Sequence, residues 1–283
     1  MMASLFTTSS VSQEAMRNAS TITTALLVLL LAATVGTAQV NVLDSDPIAA
    51  RKRLVYSQLG GFAGLGGVMQ GGTITTDCQC DFNGGGGTQF VVGGVFERLT
   101  RSQLIWGVAV GYDRRGLTGQ FTEIEGVVQK SPSGRQFTVP MTFLNEADLA
   151  LDVITVMPYL KLKPFGPVFV RAGASVGYVM SSSLVHRKTL TTTDVVFPNG
   201  EVASAELVGV DGQSVILQDG PVAELQPLQL GLFGGVGVDI SLSKKVTMSP
   251  MLQYFQPLTS ISAQGTGFSV RSFQFLLELR HIL

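Results

Sequence analysis

Across residues 149–180 apolar positions alternate with small or polar ones, first over 149–163 and again over 168–180. In the second run Val168, Val170, Ala172, Ala174, Val176, Tyr178 and Met180 share one face. Phe169, Arg171, Gly173, Ser175, Gly177 and Val179 share the other. A side-chain period of two is what a β-strand imposes. Between the runs lies Pro164-Phe165-Gly166-Pro167, a turn in which proline fixes φ and glycine supplies left-handed geometry. The unit is therefore strand, tight turn, strand.

The same unit recurs along the chain. Strands are predicted at 57–69, 88–99, 104–114, 149–163, 168–180, 227–240 and 246–258, with a last one ending at Arg280. Their connections alternate long and short. An even number of strands, short turns at one end and long loops at the other are the pattern of a transmembrane β-barrel. Closure follows because an open edge in lipid leaves backbone groups without partners. Pro250 and Pro257 interrupt the seventh strand and predict a bulge or a local gap in the ladder.

Two more hairpins are legible, 121–129 with 135–143 around Lys130-Ser131-Pro132-Ser133-Gly134, and 189–197 with 201–210 around Pro198-Asn199-Gly200. They carry Glu123, Glu125, Lys188, Asp194, Glu201 and Glu206, which are costly against lipid. We read them as extending the wall beyond the outer surface; ten or twelve spanning strands is the alternative. The fold class expected is all-β, a closed antiparallel transmembrane barrel of eight strands, with long extracellular loops carrying extended hairpins. A soluble barrel would need the apolar faces turned inward.

Composition agrees. Charged residues are 14 % and mean hydropathy is +0.35, yet no apolar run reaches the length of a membrane-crossing helix. The 33 glycines suit an interior where inward side chains crowd. A net charge of −1 and the lack of a basic stretch with interleaved aromatics give no reason to propose nucleic acid.

Residues 25–33 are an apolar core of signal-peptide length, and Gly36 and Ala38 are placed for cleavage before Gln39. Residues 1–38 are thus expected to be an export signal, with Met16 a candidate true start because Met16-Arg17-Asn18 gives it an ordinary shape. Residues 39–56 are expected to be a periplasmic lead and 57–283 the barrel. This places the protein in a bacterial outer membrane, with outer-membrane lipid as its surroundings.

Met157-Pro158-Tyr159-Leu160-Lys161-Leu162-Lys163 followed by Gly166-Pro167-Val168-Phe169-Val170-Arg171-Ala172-Gly173-Ala174-Ser175-Val176-Gly177-Tyr178 resembles the central hairpin of the PorT-like outer-membrane barrels of Bacteroidota and related phyla. Leu232-Phe233-Gly234-Gly235-Val236-Gly237-Val238-Asp239-Ile240 and Ser272-Phe273-Gln274-Phe275-Leu276-Leu277-Glu278-Leu279-Arg280 are similar to that family's last strands. The resemblance implies a small antiparallel barrel inserted by the barrel assembly machinery through its C-terminal strand, which here ends His281-Ile282-Leu283. It also implies a role in secretion or adhesion rather than a defined chemistry.

Candidate chemistry is sparse. His186 with Ser181, Ser182 and Ser183 could be drawn as a lipid-acting hydrolase, but serines at a strand end are ordinary loop composition. No cofactor, metal-ligand or phosphate-cradling motif is present. Cys78 and Cys80 sit in the first outer loop; an oxidising compartment favours a disulfide, which needs a local turn, with two free thiols or a metal pair as alternatives. Asp113, Arg171, Asp239, Glu278 and Arg280 fall on inward faces. Unpaired charge in a narrow barrel is expensive, so they are expected to pair into a plug. A pore or gate lined by the same residues is the alternative, disfavoured because eight strands enclose just enough space for side chains. The function expected is a non-enzymatic scaffold whose outer loops contact a protein partner or the environment, ahead of a small-solute channel.

Overall fold

The computed structural model describes residues 56–76, 80–100, 104–205 and 213–283. The expected signal peptide, the lead up to residue 55, and Cys78 lie outside them. In chain order the strands are β1 (Tyr56–Thr75), β2 (Asp81–Phe82), β3 (Gly85–Leu99), β4 (Leu104–Lys130), β5 (Gln136–Phe165), β6 (Val168–Leu190), β7 (Asp194–Val196), β8 (Val202–Ser204), β9 (Ser214–Gly220), β10 (Leu228–Val238), β11 (Ile240–Ser241), β12 (Val246–Pro257) and β13 (Thr266–Ile282).

Eight of them close a ring. Each antiparallel pair follows the chain, β1–β3–β4–β5–β6–β10–β12–β13, and β13 returns to β1 from Gln58↔Ile282 to Thr73↔Thr266. The protein is therefore a closed up-and-down barrel without a free edge around its ring. The turns at one end are tight, and both ends of the described chain meet there: the Leu283 amide donates to Ser57 O at 3.0 Å and the Ile282 amide to Lys245 O at 2.8 Å.

The outer face of the ring is an apolar belt. Leu104, Trp106, Val110 and Tyr112 on β4, Ile154, Val156, Leu160 and Leu162 on β5, and Phe273, Phe275, Leu277 and Leu279 on β13 are all exposed. The inner face alternates in kind with height. An apolar and aromatic layer including Phe62, Met157, Tyr159, Phe169, Phe233, Phe255 and Leu276 fills the mid-barrel. At the long-loop end a second apolar cluster, including Ile74, Phe82, Leu117, Leu149, Val222, Ile261 and Phe268, draws in side chains from β2 and from the connections before β10 and β13.

Several strands run further than the periodicity alone indicates. β4 and β5 continue as one ladder to Lys130↔Gln136, so the first extra hairpin is the same two strands prolonged. β6 continues to Leu190 instead of ending in a loop at Ser181. It does so through a bulge: Val153 pairs with Val179 but Asp152 pairs with Ser181, leaving Met180 as the extra residue. A bulge reverses which side chains point inward, so Val179 is buried before it and Leu184, His186 and Leu190 after it. A simple period of two breaks at this point, which is why the continuation was hidden. Among the described residues the second extra hairpin pairs only through the three-residue β7 and β8, and its expected stretch 206–210, with Glu206, lies outside them.

Pro250 marks a gap and not a bulge. Gly237↔Met251 and Ile240↔Met248 keep one register, while the residues between, opposite Pro250 and Ser249, drop out of the β10–β12 ladder. Proline has no N–H to donate there, while on the other side the β10–β6 register continues, the Asp239 amide donating to Pro167 O at 2.8 Å.

Candidate functional site

Four of the five inward charges named from the sequence meet at the tight-turn end. Arg171 pairs with Glu278, and its Nε and Nη2 donate to Gln253 Oε1 at 3.2 and 2.6 Å. Arg280 bonds Glu97 and Ser249, reaches Asp239 Oδ1 at 2.5 Å and stands 3.7 Å from Glu278 Oε2. Asp113 is not part of this cluster. It lies on a separate level, bonded to Arg115 at 2.6 Å and to Gln89 at 2.6 Å. The reason is register: Asp113 is opposite Val153 and Val91, well up the barrel from Arg280, which is opposite Gly60 and Thr247.

The cluster contains residues that the sequence reading passed over. Glu97 accepts from Tyr159 Oη at 2.9 Å and from Lys161 Nζ at 3.3 Å. Lys161 also reaches Asp239 at 3.1 Å and sits 4.0 Å over the Phe169 ring. Lys163, whose side chain is 33 % exposed at the rim, reaches Asp239 Oδ2 at 2.5 Å. The signal was available: continuing the alternation through β3 and β5 sends Glu97, Tyr159 and Lys161 inward. Inside the rim three carboxylates face Lys161, Arg171 and Arg280, so the buried charges balance.

Above this level the bore stays filled. Between the Asp113–Arg115 pair and Gln253, Ser272 and Gln274 a cavity of ≈ 10 Å³ remains, room for about one water. Arg115 lies 5.0 Å from the Phe255 ring centroid, and Arg171 is 5.1 Å from that of Tyr159. Through these levels, among the described residues, ionic and aromatic groups alternate along the barrel axis.

At the long-loop end the bulge in β6 turns His186 inward, where it is 0 % exposed. Its Nδ1 lies 3.1 Å from Thr76 Oγ1, its Nε2 lies 3.2 Å from Asn145 Oδ1, and the Phe82 ring stands edge-on at 5.2 Å. Asn145 in turn donates to Glu123 at 3.4 Å. The serines drawn with His186 do other things: Ser182 Oγ accepts from the Val222 amide at 3.2 Å, and Ser181 and Ser183 face outward, paired opposite Asp152 and Ala150. Cys80 packs on the apolar cluster beside Phe82, and its bond to Cys78 stays an expectation.

Burial and the Lys188 charge hold the His186 pKa below the ordinary histidine value. As pH falls through about 6.5 the unfolded chain takes up a proton that the folded one refuses, so the outer end loses stability with acidification. Resistance to urea should therefore weaken from pH 7.5 to 5.5, and His186→Gln should flatten that change. An unchanged slope in the variant would remove His186 as the cause.

Beyond the ring a sheet projects from this end. β4 pairs with β3 only as far as Gly119↔Gly85, yet pairs with β5 to Lys130. Residues 120–130 of β4 therefore present an edge with no strand beside it among the described residues. Its outward lane carries Ile124, 70 % exposed, and Val128, 57 % exposed. The opposite lane carries Glu123 and Glu125, the latter ion-paired with Lys188. Behind that lane Val139, Met141, Phe143 and Leu190 pack with Val195, Phe197 and Ala205 of the β7–β8 hairpin, which braces the projection.

No family model matches the chain, and no curated relative matches it. Among solved structures it is similar to neisserial surface protein A, with 13 % identity over 80 % of this chain and 96 % of that one, at a TM-score of 0.29. It is similar to Ail of Yersinia pestis, solved with a heparin analogue, with 10 % identity over 81 % and 99 % and a TM-score of 0.31. It is also similar to Acinetobacter baumannii CarO2, with 12 % identity over 77 % and 99 % and a TM-score of 0.29. The barrel is established by its own closed strand pairing.

Proposed function

We propose that this chain is a bacterial outer-membrane barrel that acts without enzymatic chemistry, as a sealed base holding a projecting sheet which recruits an extended segment of a partner protein. The observation that carries this is the open edge of β4 from 120 to 130. A long unpaired edge with high β-propensity is a template for another strand, and strand addition is a recurring mode of peptide recognition. Here the edge is held away from the ring and braced from behind. Its two lanes carry exposed Ile124 and Val128 on one side and, on the other, the Glu123 and Glu125 carboxylates, which Asn145 and Lys188 already contact. The fitting segment is apolar in one lane and basic in the other.

The apolar belt supports residence in a membrane, where only a closed barrel of strands satisfies every backbone group. The Phe273–Leu279 alternation of β13 supports insertion by the barrel assembly machinery, and membership of the PorT-like barrels is proposed on the motifs quoted above. The filled bore favours the scaffold over a solute channel. The test is a pair of charges on the edge. Ile124→Lys with Val128→Lys should leave heat-modifiable gel mobility unchanged, because these side chains lie above the ring. It should abolish binding of a synthetic strand of alternating valine and lysine, followed by protection of the 120–130 amides from hydrogen exchange. Unprotected amides in the wild-type protein at saturating peptide would overturn the reading.

A further inference from the structure

The outer wall of the barrel changes character just above the apolar belt, and cross-strand pairing orders the change into rows. On β3, β4, β5 and β6 the uppermost belt row is Val92, Tyr112, Ile154 and Tyr178. The next row up is Phe90, Arg114, Asp152 and Ser181. Above it come Thr88, Gly116, Ala150 and Ser183, and then Gly86, Thr118, Asp148 and Val185. Two successive rows of small side chains, four strands wide, leave a depression of ≈ 390 Å³ in the wall. It is floored by the backbone of Gly87, Leu117 and Leu149 and is open to the outside. A flat strand surface with ordinary side chains would have none.

The frame of this depression is amphipathic. Below it are the rings of Phe90, Tyr112 and Tyr178, exposed on the belt's upper margin. Arg114 stands at its lower edge with 65 % of its side chain exposed, and Asp152 is 3.9 Å away. That carboxylate already accepts from Tyr112 Oη at 2.6 Å, and Asp148 accepts from Thr118 Oγ1 at 2.6 Å. Each acid accepts from a hydroxyl donor, and Arg114, which also contacts Tyr112, keeps most of its side chain exposed toward an incoming anion. Arg187, exposed above the depression opposite Glu146, is a second cation within the same frame.

We infer that this depression is a binding site for the phosphorylated sugar headgroup of a glycolipid in the surrounding leaflet. A sugar lying over Gly116 and Ala150 has aromatic faces beneath it and hydroxyl-bearing Thr88, Thr118 and Ser183 around it. Its phosphate meets Arg114, for which a guanidinium is the favoured partner. Its acyl chains continue downward over Tyr112, Ile154 and Tyr178, which a soluble sugar phosphate cannot do. Continuity of the depression with the belt is what selects a lipid. The inference rests on the membrane placement proposed above but not on the partner edge.

The test is native mass spectrometry of the purified barrel with an acylated glucosamine disaccharide bisphosphate, its dephosphorylated counterpart, and phosphatidylglycerol. The bisphosphate should bind the wild-type barrel most tightly. Arg114→Ala should weaken it roughly tenfold, as expected for one lost charge-assisted contact, and leave the dephosphorylated lipid unchanged. Ala150→Phe with Ser183→Leu, both outward and away from the core, should block both glycolipids. Equal binding by wild type and the filled variant overturns the site, and equal loss of both lipids in Arg114→Ala overturns the phosphate contact. Competition by inorganic phosphate alone overturns the lipid as occupant. Heat-modifiable mobility is read on every sample to show that the barrel is folded, and protein that stays folded and monomeric in buffer without detergent refutes the membrane placement separately.

Discussion

Replacing Arg280 with Met is expected to destabilise the folded barrel by about 3–5 kcal/mol, because it strands carboxylates that have nowhere to go. Arg280 touches Glu97, Asp239, Ser249 and, more distantly, Glu278. Without it Glu97 keeps the Tyr159 hydroxyl and Lys161 as its cation, and Lys161 must also serve Asp239 with Lys163. Urea unfolding from vesicles measures the loss. A second substitution, Glu97→Gln, should recover a substantial part of it by removing the charge left behind, which is the coupling a double-mutant cycle reads. A single-variant loss under about 1 kcal/mol, the range of exposed pairs, would mean that water reaches the cluster. Planar-bilayer recording gives the second readout: the wild-type protein should show no steady conductance steps, since the interior is filled at the ionic, aromatic and loop levels.

Ion pairs buried this deeply are seldom better for stability than well-packed apolar residues. What they do here is neutralise a bore whose walls cannot all be apolar without making inner and outer faces alike. Strand facing is then unambiguous, because a one-residue slip would bring Glu97, Lys161, Arg171 and Glu278 out onto the belt.

Much of this was legible in the sequence because one rule, alternation, fixes facing along every ring strand. It sent Arg171, Asp239, Glu278 and Arg280 inward, and they meet. It could not sort them by height, since height depends on register between strands, and Asp113 consequently falls on another level. Alternation also fails at a bulge. The extra residue Met180 conceals both the continuation of β6 and the burial of His186, which a strict period leaves in a loop. The projecting sheet was visible as a hairpin of charged strands, but its open edge was not. That edge exists only because β3 stops pairing at Gly85 while β5 goes on, a difference in length between neighbours that no single segment reveals.

The glycines make the strongest remaining prediction, because they separate inner from outer wall at adjacent positions. Gly93 and Gly94 follow each other on β3, paired opposite Gly111 and Val110. A Cβ on Gly93 would lie 2.2 Å from Val110 O, 2.7 Å from Gly111 Cα and 2.7 Å from Phe62 Cζ. Two of those atoms are backbone of the neighbouring strand, so no rotamer change relieves the overlap. A Cβ on Gly94 meets only Gly60 O at 3.7 Å, an ordinary contact. Gly93→Val should therefore cost about 3 kcal/mol or more, at or beyond the usual range of overpacking, and appear as a chain that fails to acquire heat-modifiable mobility. Gly94→Val should fold as the parent does and add apolar surface to the belt, where a β-branched residue suits a strand facing lipid. Because the two substitutions are chemically identical and one residue apart, propensity and hydrophobicity cancel between them and only facing differs. If both variants folded equally well, Phe62 would not be seated against Gly93 and Gly111, and the close-packed interior inferred from that contact would be lost with it.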